Sequence, residues 1–121
     1  MERVITISGI EVNMESSGDI PRMYRNKFGK DVIVQMSAFE ARARKNKGAT
    51  MLEADDVEMF ENLAWCMAKH ADSDVPDIDE WLRQFSATGI IEAAPALVDM
   101  WVEENKSTST LKKRDGQSIE K

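Results

Sequence analysis

"DIPRMYRNKFGKD", residues 19–31, is the stretch on which the reading of this chain turns. It sets four cations, Arg22, Arg25, Lys27 and Lys30, around Tyr24 and Phe28 in a chain of formal net charge −6. Cations interleaved with rings fit a nucleic-acid surface, where bases stack on free aromatics. They also fit an amphipathic helix that turns its rings inward. Local signals favour the helix. Asp19 ahead of Ile20-Pro21 offers an N-cap acceptor and a proline in the first turn, and Gly29 offers a stop. On a helix from about Ile20 to Phe28, Tyr24 and Phe28 stand four apart on one face, with Arg22, Arg25 and Lys27 spread over the others. The rings are expected to dock inward while the cations run along the surface.

Upstream, "RVITISGIEVNMES" alternates apolar and polar residues on both sides of Ser8-Gly9, which predicts a β-hairpin. Two strands are marginal alone in water, so the hairpin must lie on helices. Downstream, Asp31 can restart a helix over 31–44, with Val32, Met36, Phe39 and Ala43 forming one stripe. Thr50 and Glu53 match a capping box. The helix after it carries Val57, Phe60, Leu63, Ala64, Met67 and Ala71 on one broad face, with Met59 on its polar side. Asp77 and Glu80 form a second capping box before a short helix through Trp81, Leu82 and Phe85. Gly89 precedes a last helix with Ile90, Ala94, Leu97, Val98 and Trp101 inward, in which Pro95 predicts a kink or a late start. The expected fold is mainly α: about five helices with an N-terminal β-hairpin in one domain over 1–104, then a disordered basic tail over 105–121.

The 121 residues suit one domain able to bury a core without staples. The single cysteine, Cys66, excludes an internal disulfide and fits a reducing compartment. No apolar run approaches the roughly 20 residues of a membrane span, and "MERVITISG" has no signal-peptide core, so a cytosolic location is expected. From residue 105 onward five cations face two anions, leaving the tail near +3 and the body near −9 of the net −6. An acidic body argues against a general nucleic-acid binder.

Candidate chemistry is thin. "HADSDVPDIDE" gathers His70, Asp72, Asp74, Asp77 and Asp79, but Pro76, Asp77 and Arg83 stand where an EF-hand loop needs an oxygen ligand, glycine and glutamate. These aspartates read as helix exits and N-caps. Cys66 and His70 are four apart on one helix, with no second soft pair to complete a zinc site, and read as a buried thiol beside a solvated imidazole. The glycines form no phosphate loop. No catalytic residue, metal ligand or cofactor is expected. Eight methionines and three tryptophans are many for this length. Met14, Met23, Met36, Met51, Met59, Met67 and Met100 read mainly as core packing, although Met23 and Met59 could seat a partner segment.

"ISGIEVNMESSGDIPRMYRNKFGKD" resembles the opening of the tail assembly chaperones of siphophages and prophages of Gram-positive bacteria. There a hairpin leads to an "R-x-Y-R-x-x-F-G-K/R-D" helix, here Arg22, Tyr24, Arg25, Phe28, Gly29, Lys30 and Asp31. "NLAWCMAKHAD" is similar to the family's "A-x-x-M-A-K-x-A-D" helix through Ala64, Met67, Ala68, Lys69, Ala71 and Asp72. "DIDEWLRQF" resembles its "W-L" helix, and "LVDMWVEENKSTSTLKKRDG" its closing tryptophan helix and lysine-rich tail. The resemblance implies a non-enzymatic protein of the host cytoplasm, absent from the finished virion. Its implied partners are the tape-measure protein, which it keeps soluble, the tail-tube protein, and a frameshift-extended form of itself, with "LKKR" at 111–114 a place for lysine codons to slip. No nucleic acid and no membrane are implied, and self-association is left open. The expected partner-binding surface is Arg22, Met23, Tyr24, Arg25 and Phe28, with Trp81 and Trp101 second. The competing reading is a small helical regulatory or nucleic-acid-associated protein, which would need a coherent basic face.

Overall fold

The turn Ser8-Gly9 joins β1 (Glu2–Ile7) to β2 (Ile10–Glu15) in a computed structural model that describes residues 1–46 and 52–105, with helical backbone onward to Glu120. Both turn residues take positive φ, 53° and 78°, the pattern of a two-residue I′ hairpin whose twist suits the strands. The register pairs Ile5 with Val12 and Ile7 with Ile10. Ile5, Ile7, Val12 and Met14 are buried, while Val4 on the opposite face is 54% exposed. One face of the hairpin is therefore dry, with β2 packed on α3 (Ala54–Ala71) and β1 on α5 (Gly89–Glu120).

The remaining helices are α1 (Ile20–Phe28), α2 (Val32–Lys45) and α4 (Ile78–Leu82), so the described residues form five helices and one hairpin, as the sequence predicts. Gly29 ends α1 in the left-handed region at φ 72°, its N–H returning to the Arg25 carbonyl. Two residues later Asp31 caps α2, accepting from Ile33 N–H at 2.9 Å and Val34 N–H at 3.3 Å. Two helices thus meet at a sharp corner with little loop between them.

α3 is the central element and departs from the expected single face. β2, α1, α2, α4 and α5 all pack on it, and residues 62–68 are buried without interruption. A helix surrounded on every side needs apolar or small residues all round. Met59 accordingly belongs to the core, at 2% exposure, and not to a polar surface; Ala71 is exposed. The helix also begins later than Thr50 would set it. Glu53 is the N-cap and Asp56 its reciprocal partner, Asp56 accepting from Glu53 N–H at 2.9 Å. Thr50 and Met51 lie outside the described residues. Asp56 is buried and takes the guanidinium of Arg42 at 2.5 Å, tying the end of α2 to the start of α3.

The other capping expectations divide. Asp77 precedes α4 but makes no side-chain cap; its carboxylate takes Lys27 Nζ at 2.6 Å instead. Asp19 likewise leaves α1 uncapped by its side chain. α5 begins at Gly89 and continues through Pro95, so the late start does not occur. Gly89 is buried because the hairpin turn sits on it: a Cβ there would collide with Ser8 Oγ and press on Ile7 Cγ2. Ser8 Oγ accepts from Ser86 N–H at 2.9 Å, fixing the turn to the loop before α5. The expected disordered basic tail over 105–121 begins at Asn105 and otherwise falls on residues whose side chains lie outside those described.

Candidate partner-binding face

α1 places the residues singled out from the sequence, and it sorts them. Tyr24 is fully buried, its hydroxyl donating to Gln35 Oε1 at 2.7 Å. Burial pushes this phenol up to about 12, so it stays neutral. Phe28 is half-buried and meets Tyr24 and Trp65 edge-on, with centroids 5.2 and 5.9 Å away. Trp65 donates its indole N–H to the Pro76 carbonyl at 2.8 Å and carries Lys27 Nζ over its ring at 5.3 Å. Tyr24, Phe28 and Trp65 form one aromatic ladder bonding α1 to α3, each edge-to-face step of which stabilises by about 1 kcal/mol beyond burial.

Two corrections follow. Tyr24 is an interior residue, closed to a partner, because its ring is the one that fastens α1. Trp81 and Trp101 are interior too: Trp81 packs edge-on with Phe85 at 4.9 Å, and Trp101 turns into the core from α5. The surface of α1 is left with exposed Arg22 and Arg25 and half-buried Met23. Neither arginine makes an ion pair among the described residues, unlike Lys27 with Asp77 or Lys30 with Glu58 at 3.0 Å. Arg22 and Met23, with Asp19, Asn26, Lys27 and Trp65, line an open groove of about 480 Å³. Its floor is apolar, and its rim carries Arg22 and Lys27 with the Asp19 carboxylate among them.

A second groove, of about 380 Å³, was not legible beforehand. It lies between α2 and α5 and is lined by apolar residues alone, among them Phe39, Ala43, Ile91 and Val98. The signal for it is "IIEAAPALV", which has more apolar residues than one helix face can bury and leaves Ile91 exposed.

His70, expected in solvent, is half-buried in a polar corner. Its Nδ1 lies 2.8 Å from Glu15 Oε1, and its Nε2 lies 3.0 and 3.1 Å from the two oxygens of Asp19. The Glu15 and Asp19 carboxylates, Glu15 foremost, hold the imidazolium above its ordinary range. Ser17 Oγ stands 3.2 Å from Nε2, but the hydroxyl donates to Asp19, which it holds below the usual carboxylate range together with His70. Serine, histidine and glutamate are in line here, yet the serine hydroxyl is directed to the Asp19 carboxylate. The cluster joins the end of β2 and the start of α1 to α3.

Cys66 is buried, and desolvation pushes its thiol up to about 12. The acidic loop that imitates a calcium site turns its carbonyls to Lys69, whose Nζ donates to Ser73 O at 2.8 Å and Val75 O at 2.6 Å. Among the described residues no three acidic, histidine or cysteine groups converge as a metal site would require, and no helix is long and apolar enough to cross a membrane. Compared with known proteins, the chain matches no family model, no curated protein and no solved structure.

Proposed function

We propose that this protein is a phage tail assembly chaperone whose α1 face binds a helical, partly apolar stretch of the tape-measure protein and keeps it soluble while the tail tube assembles around it. The observation that carries the reading is a division within the motif on α1. Tyr24 and Phe28 fasten the helix, Gly29 ends it, Lys30 pairs with Glu58, and Asp31 caps α2. Architecture accounts for each of them. It does not account for exposed Arg22 and Arg25, which make no ion pair among the described residues, or for Arg22 lining the Trp65 groove with Met23, in a chain of net charge −6. A groove with an apolar floor, beside the exposed cations Arg22 and Arg25, suits an amphipathic helix that carries acidic residues along its stripe. The same face would serve the short form and a frameshift-extended form alike. Its site of action is then the host cytoplasm, before the virion is complete.

Co-expression with the tape-measure protein tests the reading. The expected result is that the tape-measure protein moves into the soluble fraction and co-purifies. Equal precipitation with and without this chain, and again with a frameshift-extended form, contradicts it.

A further inference from the structure

His70 touches carboxylates with both ring nitrogens, and the two carboxylates come from different places in the chain. Glu15 ends β2, and Asp19 precedes α1. A neutral imidazole has one N–H. It can donate to Glu15 or to Asp19, but its other nitrogen would then turn a lone pair toward a carboxylate oxygen about 3 Å away. Both carboxylate contacts are hydrogen bonds at once only when both nitrogens carry N–H. Glu15 and Asp19 are the charged groups acting on the ring, with the Ser17 hydroxyl beside them; α2, α4 and α5 bring none among the described residues.

Asp19 is at the same time the N-cap residue of α1, without a capping bond. A cap side chain accepts from the second or third helical N–H. The second residue is Pro21, which has no N–H, so one amide remains for it: that of Arg22. Besides the Ser17 hydroxyl that donates to it, Asp19 therefore has two alternative partners, the His70 ring and the Arg22 amide, and it lines the groove that contains the Arg22 side chain.

We propose that His70 is a proton-operated clasp: with both nitrogens protonated it holds the end of β2 and the start of α1 against α3, and on losing a proton it releases Asp19 to the Arg22 amide at the edge of the α1 groove. This device is independent of what binds the groove. Because the folded chain favours the protonated ring, the stability it contributes is complete below the ordinary value of 6.5 and is lost as pH rises through the higher folded-state midpoint.

The chain has one histidine, so a proton NMR titration of the full-length protein between about pH 5 and pH 9 reads its ring without ambiguity. The expected midpoint lies above 6.5, falls in Asp19→Asn and in Glu15→Gln, and is shared by a step in the Arg22 backbone amide that Asp19→Asn abolishes. A midpoint at or below 6.5, one that neither substitution moves, or an Arg22 amide without that step overturns the proposal. Should a variant fail to fold, the wild-type ring and the wild-type Arg22 amide still decide it.

Discussion

Gly89 shows how a single residue can be set by an element far away in sequence. It opens α5, where many residues would serve, but the Ser8-Gly9 turn lies against it. Gly89→Ala should lower stability by about 1–3 kcal/mol through overpacking, measured by urea denaturation. Adding Ser8→Gly, which removes the hydroxyl in the way, should restore part of the loss. Ser8 itself adopts φ 53°, where asparagine or glycine suits the turn better, and its hydroxyl contact with Ser86 explains the exception. Tyr24→Phe should cost about 1–3 kcal/mol, since it removes the buried hydroxyl that donates to Gln35 Oε1. Cys66 should be inert to thiol reagents in the native chain and react once denatured, because burial keeps its thiol protonated. Individual aspartates were the least legible residues. Asp31 caps as its position suggests, while Asp19 and Asp77 resemble it in sequence yet spend their carboxylates on His70 and Lys27. Only the tertiary fold brings those cations within reach.

At the scale of elements, the hairpin and α1 could be read almost to the residue. Their signals are local: period-two alternation about Ser8-Gly9, then proline at the start and glycine at the end of one short helix. α3 was harder. Its amphipathic pattern predicts a single buried face, but five neighbours bury residues 62–68 throughout, and how many elements surround a helix is not written in its own periodicity. Its start is held by Asp56, buried with Arg42 and the Glu53 amide. Asp56→Ala should therefore cost about 1–3 kcal/mol, read as a lowered denaturation midpoint. Thr50→Ala is expected to do less, as Thr50 is not the cap. The His70 clasp belongs to this scale too. Thermal stability should fall as pH rises past 6.5 through the raised His70 midpoint, and Glu15→Gln should flatten that slope; a wild-type profile with no such decline contradicts the clasp.

Across the whole molecule, the α1 face differs in charge from an otherwise acidic chain. The sequence singled this region out, yet it could not say which members of the motif face water, because the adjacent positions Tyr24 and Arg25 are core and surface. Tyr24, Trp81 and Trp101 turned out interior, which narrows the candidate face to Arg22, Arg25 and Met23 around the Trp65 groove. The apolar groove between α2 and α5 provides an internal comparison, since Ile91 lies on a different surface. The measurement that tests the functional account most directly is the soluble fraction of co-expressed tape-measure protein with the Arg22→Glu, Arg25→Glu double variant, beside wild type and Ile91→Asp. All three substitutions lie on the surface, so each variant should retain the wild-type melting transition. The account predicts that the double charge reversal abolishes rescue while Ile91→Asp preserves it. Full rescue by the double variant would contradict α1 as the binding face.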